Sequence, residues 1–108
     1  DKIICLENTW YSVISPEGCA SILFRDSSKA KNAADSMKVT ANDLYEMGIA
    51  DEIINEPKGA AHIDPDAMAE IIKEIIIKNY IELKKLSAED LVNLRIEKYD
   101  KIGEYERR

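Results

Sequence analysis

The sequence predicts a mostly helical α/β fold in which short strands are followed by helices and a long helical pair closes the chain. Three observations carry this expectation. Two β-rich stretches, KIICL and YSVI, fall within the first 14 residues. Helix-start signals recur at Ser15-Pro16, Thr40, Asp64-Pro65 and Ser87. Beyond residue 65, apolar residues return at three- and four-residue steps, the period of a helix and not of a strand.

Residues 2–6 and 11–14 read as a strand pair because both are rich in apolar and β-branched side chains, with Glu7, Asn8 and Thr9 as the turn between them. The chain then turns into a helix over residues 16–24 at a Ser-Pro-Glu-Gly step. Ser15 suits the N-cap, Pro16 has no N–H for the first helical position to leave unpaired, and Glu17 sits at the positive end of the helix dipole. The free donors are then expected on Glu17, Gly18 and Cys19. Gly18 has no side chain, so a ligand or a neighbouring backbone could come close there. Many helices start this way for structural reasons alone, and the step by itself assigns no site.

Asp26-Ser27-Ser28 stops this helix and restarts another, and the alanine-rich residues 29–37 form a short helix whose small side chains allow close packing. Thr40-Ala41-Asn42-Asp43 reads as a capping box with Asp in place of Glu, and Gly48 ends the turn that follows. A short strand is expected over residues 49–55. Asp51 and Glu52 read as solvated turn residues, because paired carboxylates carry chemistry only where burial or mutual repulsion shifts a pKa. Residues 56–62 form an irregular connector with Pro57, Gly59 and the single histidine, His62. A lone loop histidine is more often a surface hydrogen-bonding group than a base, and no serine or cysteine nucleophile lies at recognisable spacing.

Asp64-Pro65-Asp66 opens the long helix with a cap, a proline at the first position and acid in the first turn. Met68, Ile71, Ile72, Ile75, Ile76, Tyr80 and Leu83 make one wide apolar stripe. Ile77 and Ile81 widen it beyond the needs of a single surface helix, which implies the core on one side and another subunit on the other. Ser87 caps a final helix with a narrower stripe, Val92, Ile96, Tyr99 and Ile102, and residues 104–108 are expected to fray.

Composition excludes several classes. With 15 basic against 21 acidic residues and a net charge of −6, neither nucleic acid nor an anionic membrane surface is an expected partner. Apolar runs such as residues 75–77 are far too short to span a bilayer. No secretion signal is recognisable, so Cys5 and Cys19 are expected as reduced thiols in a cytoplasmic protein. One histidine and no CxxC leave too few ligands for a structural zinc, and no Walker-type loop offers an ATP site.

Four blocks, in order, carry a resemblance: DKIICLENTWYSVISPEGCASILF, KAKNAADSM, TANDLYEMGIADEIINEPKGAAH and LSAEDLVNLRIEKYDKIG. Together they resemble the carboxyltransferase α subunit of bacterial acetyl-CoA carboxylase over nearly the whole chain, most specifically in the first and third. The resemblance implies a crotonase-like fold, with residues 1–62 as the C-terminal part of its core and residues 63–108 as a helical C-terminal extension. It implies a transferase that moves a carboxyl group from carboxybiotin, borne by the biotin carboxyl carrier protein, to acetyl-CoA, giving malonyl-CoA for fatty acid biosynthesis. The implied partners are that carrier, the carboxyltransferase β subunit and further copies of the chain, with carboxybiotin and acetyl-CoA as substrates and no cofactor bound directly.

Such chemistry needs two oxyanion holes, because charge develops on both the thioester and the ureido oxygen. In the family the α subunit's hole comes from a glycine-rich segment ahead of the resembled part, and this sequence contains none. The chain is therefore expected to be a C-terminal fragment, inactive alone, with Ile3, Ile4 and Leu6 exposed or buried against another chain. On the resemblance, Ser15, Glu17 and Gly18 border the active site on its biotin side, and no residue is assigned as catalytic. Ser15 would hold the helix start, Glu17 would orient local backbone or partner contacts, and Gly18 would permit close approach. Two alternatives stay open: a non-catalytic helical module whose stripes bind a partner helix, and a related biotin-dependent acyl-CoA carboxylase or decarboxylase. The SPEGC and MGIADEII blocks weigh against the first, Cys19 and LSAEDL against the second.

Overall fold

The computed structural model describes residues 1–103; the fraying expected at 104–108 lies outside the described residues. The elements are β1 (Ile4–Leu6), α1 (Pro16–Leu23), a 3-10 turn at Ser27–Lys29, α2 (Ala30–Met37), α3 (Ala41–Glu46), β2 (Glu52–Ile54), a second 3-10 turn at Pro57–Gly59, α4 (Pro65–Lys84) and α5 (Ala88–Asp100). The chain is mostly helical with two short strands, which is α/β in the expected sense.

The strand pairing differs from expectation. β1 pairs not with residues 11–14 but with β2, in parallel, with Ile4 opposite Glu52, Cys5 opposite Ile53 and Leu6 opposite Ile54. Helices α1 to α3 supply the crossover that a parallel pair requires. Residues 11–14 form no strand; the neighbouring Trp10 makes an isolated antiparallel bridge to Thr40, and Tyr11 N–H donates to Val39 O at 2.8 Å. The physical reason is local competition. Ser12 Oγ both donates to Ile14 O (2.6 Å) and accepts from Ile14 N–H (3.2 Å), closing the backbone on itself where a ladder would need it open. Val13 is fully exposed, so no face of this stretch gains by lying on a sheet.

The caps behave as read. Thr40 Oγ1 accepts from Asp43 N–H (3.2 Å) while Asp43 Oδ2 accepts from Thr40 N–H (3.4 Å), completing the capping box of α3. Gly48, at φ +76°, reverses the chain after α3, and the amides of Ile49 and Ala50 both return to Leu44 O. Asp64 caps α4 through Ala67 N–H (3.1 Å), and Ser87 caps α5 through Asp90 N–H (3.1 Å).

The core is thin. Cys5, Ala41, Leu44 and Ala50 form the buried cluster, with Ile3, Ile49 and Ile53 packed against it. Ile3, Ile4 and Leu6 are half-buried within this chain, Ile3 against its own core cluster. The alanine reading of α2 holds in space, because Ala33 and Ala20 are fully buried where α2 packs on α1. Among the described residues no large side chain is fully buried.

The two long helices do not pack along their length. They meet near their junction around Leu83, Leu86, Leu91 and Leu94, which line a cleft of about 290 Å³. On α4 the inward face carries Met68, Ile71, Ile72, Ile75, Asn79 and Leu83, while Ile76, Ile77, Tyr80 and Ile81 are exposed on the other side. The stripe read on α5 is corrected. Val92, Ile96 and Tyr99 point outward, and the side turned to the body is instead Leu91, Lys98 and Ile102, with the exposed Arg95 reaching Asp1 from its margin.

Candidate functional site

The helix start at residues 15–19 takes the shape that its residue types dictate. Ser15 is extended (φ −71°, ψ 156°), and its Oγ accepts from Gly18 N–H at 3.1 Å. Cys19 N–H donates to Ser15 O at 2.9 Å. Of the three donors expected to be free, two are therefore engaged within the turn, and Glu17 N–H alone has no partner among the described residues. The correction follows from Ser15 itself, whose hydroxyl and carbonyl each reach one amide. Glu17 is exposed and lies in the first turn, where its charge suits the dipole.

At Gly18 the close approach is made by the chain itself. A Cβ there would meet Ile14 Cγ1 at 3.0 Å, Ile14 Cδ1 at 3.2 Å and Ser15 Oγ at 3.2 Å. Ile14 folds back over the first turn of α1, and the glycine leaves room for it. Cys19 is half-buried, whereas Cys5 lies in the core cluster.

A second polar constellation gathers where β1, β2 and the long helices meet. Asp51 Oδ2 accepts from Ile3 N–H (2.7 Å) and from the Lys98 ammonium, while Asp51 N–H donates to Ile3 O (2.8 Å). One carboxylate thus joins the start of β1, the start of β2 and α5. Burial pushes the Asp51 carboxyl up, but the Lys98 ammonium and the Ile3 amide outweigh it and hold it below the usual carboxylate range. Next to it, Glu52 Oε2 accepts from Asn79 Nδ2 at 3.3 Å, and Asn79 is the one buried polar residue among those described. Asn79 also donates to Ile75 O at 2.8 Å, so its amide stitches α4 to β2.

Asp51 stays exposed at the bend before β2, as the turn reading expects, but its carboxylate is engaged by Lys98, and Glu52 is half-buried in β2. The Asp51 side chain is 26% exposed and Lys98's only 16%. Each carboxylate has its own partner, Lys98 for Asp51 and Asn79 for Glu52. Sequence reasoning missed Lys98, Arg95 and Asn79 because a polar residue inside an apolar helical pattern looks like a surface position until the opposing acid is known.

His62 is exposed, and the chemistry of its loop belongs to Glu56. Glu56 Oε1 accepts from Ala61 N–H (2.9 Å), its Oε2 accepts from Asn8 N–H (2.8 Å), and Asn8 Nδ2 donates to Gly59 O (3.0 Å). Glu56 N–H in turn donates to Glu7 Oε1 at 2.7 Å. The Ala61 amide, with Asn8 and nearby His62 adding to it against a smaller push from burial, lowers the Glu56 carboxyl. The connector is thus tied to the turn after β1. Among the described residues no group of three or more His, Cys, Asp or Glu could hold a metal ion, and no helix is long and apolar enough to cross a membrane.

Comparison with known proteins adds what geometry leaves open. The family profile described as "Acetyl co-enzyme A carboxylase carboxyltransferase-like" matches residues 1–103. The chain belongs to this family. Among curated relatives, a protein named acetyl-coenzyme A carboxylase carboxyl transferase subunit alpha from Oceanobacillus iheyensis is 55% identical over 105 residues, 97% of this chain. Proteins of the same name from Staphylococcus epidermidis and Listeria monocytogenes are each 52% identical, over 95% and 98% of the chain. In each case the match spans 33% of the relative, so this carboxyltransferase-like chain covers about a third of the length of the proteins it matches. The four blocks singled out from sequence all lie within the matched residues.

Proposed function

We propose that the chain is the C-terminal part of an acetyl-CoA carboxylase carboxyltransferase α subunit. Its reaction transfers a carboxyl group from carboxybiotin on the biotin carboxyl carrier protein to acetyl-CoA, yielding malonyl-CoA for fatty acid biosynthesis in the cytoplasm. The observation that carries this reading is the family match across residues 1–103, reinforced by half or more identity with α subunits of that name. In this reading residues 1–62 complete a crotonase-like core and residues 63–108 form a helical extension. The β subunit and a further copy of the chain are the partners, and their surfaces cover the apolar faces left bare on α4 and α5.

Ser15, Glu17 and Gly18 border the active site. Ser15 fixes the turn, Gly18 admits Ile14, and the single free amide at Glu17 lies at the positive end of α1, where a developing oxyanion is stabilised.

The test uses the complete α subunit with its β partner, assayed for malonyl-CoA formation. Gly18→Val displaces Ile14 and reshapes the turn, and is expected to lower transfer at least ~10-fold, or ~1.4 kcal/mol of transition-state stabilisation, with a smaller loss of folding stability. Pairing it with Ile14→Ala relieves the steric contact and separates the two effects. Equal losses in rate and stability, both rescued by Ile14→Ala, would reduce Gly18 to a structural glycine. A complete assembly that forms no malonyl-CoA at all would sink the carboxyltransferase reading itself.

A further inference from the structure

α5 is held to the body of the molecule in an unusual way. An inward helix face is ordinarily an apolar stripe, yet the side of α5 turned to the body carries Leu91, Lys98 and Ile102 with the exposed Arg95 at its margin, and no residue of α5 is buried. Leu91 and Ile102, at the two ends, are half-buried. Between them the attachment is ionic. Arg95 makes a two-pronged contact with Asp1, Nε to Oδ1 at 3.1 Å and Nη2 to Oδ2 at 2.9 Å, and Lys98 pairs with Asp51. Asp1 and Asp51 lie at the starts of the segments that form the two strands, so both latches close onto the same end of the small sheet.

We propose that α5 is a strap, latched by these two ion pairs, that swings on the connection at residues 85–87 and closes over the apolar cleft at the α4–α5 junction. The cleft supplies the reason to open and close: Leu83, Leu86, Leu91 and Leu94 line it together with Asp1 and Arg95, so the residues of one latch are also walls of the cavity. Releasing Arg95 from Asp1 removes one wall and further exposes the half-buried Leu83, Leu86 and Leu91. The outer face of α5, Val92, Ile96 and Tyr99, is already exposed and adds no attachment to the body. Charge therefore decides whether the strap is down, independently of any assignment of the reaction.

Salt and apolar packing respond with opposite sign, which makes the proposal testable. Raising NaCl from ~0.1 M to ~1 M shortens the screening length from ~10 Å to ~3 Å and weakens exposed ion pairs, whereas it does not weaken apolar contacts. Amide hydrogen exchange, read by mass spectrometry on the whole chain, is expected to speed up about tenfold in α5 across that range, with α1 and α2 unchanged as internal references. The Arg95→Gln, Lys98→Gln double variant is expected to exchange fast in α5 already at low salt and to lose the salt response. Exchange in α5 that stays constant or slows in high salt would overturn the proposal, as would a double variant that keeps wild-type protection. The salt series on the unmodified chain decides the matter even if the variant does not fold.

Discussion

Asp51 shows how much one side chain can organise. It receives the Ile3 amide, just ahead of β1, and an ammonium from α5 while its own N–H returns to Ile3 O, so three segments converge on one residue. Its folded-state pKa is depressed. A depressed carboxylate contributes stability that is present above the unfolded value of about 3.9 and is lost as pH falls through the lower folded value. Glu56 and Asp26 are shifted the same way, Glu56 chiefly by the Ala61 amide and Asp26 by the Ser28 hydroxyl and amide. Urea midpoints measured across a pH series should therefore be flat from about pH 7 to 5 and fall below about pH 4. Asp51→Asn should lower the neutral plateau and make the acid fall shallower. A variant with the same acid slope as the parent would show that Asp51 is not among the groups responsible.

At the scale of elements, the helix ends and most of the α4 stripe were legible, whereas the α5 face and the strand pairing were not. Ser15, Thr40, Asp64 and Ser87 each cap the helix that the sequence assigns to them, because a cap is settled within four residues. Thr40→Ala should accordingly cost about 1 kcal/mol of stability, measured by denaturant unfolding, and loosen α3 together with Leu44, its one large core residue. No change in either would mean that tertiary packing alone holds α3. Faces and pairings are settled by partners far along the chain. β1 and β2 lie 48 residues apart in register, a separation that no local alternation encodes. The sequence predicts an α5 stripe of Val92, Ile96, Tyr99 and Ile102, but acids at positions 1 and 51 pair with Arg95 and Lys98 and turn that side to the body instead. The candidate site divides in the same way. Ser15 and Gly18 follow from the local SPEG step, while the occupation of the space over Gly18 by Ile14 and the latching of Asp51 depend on contacts made only once the chain is folded.

At the scale of the whole molecule, the chain encloses too little of itself. Its Cα radius of gyration is 17.5 Å, against ~13 Å for a compact domain of about 100 residues, and it spreads over 49 by 45 Å with a depth of 17 Å. Its accessible surface is 8404 Å², where a compact protein of 12.2 kDa exposes about 6,000 Å². The exposed surface includes large apolar side chains: Ile76, Ile77, Tyr80 and Ile81 on α4, and Ile22, Leu23 and Phe24 at the end of α1. The slope of stability against denaturant scales with the surface that unfolding exposes, and here that change is smaller by roughly a fifth than for a compact chain of equal mass. At low protein concentration the urea m-value should fall below the compact-domain expectation by about that fraction. Raising the concentration of the chain, or adding a subunit that covers these faces, should restore it, because the same apolar surface would then be buried in the folded state. A full m-value that is independent of concentration would mean that the long helices fold back onto the body in solution and that the bare faces of α4 and α5 need no partner.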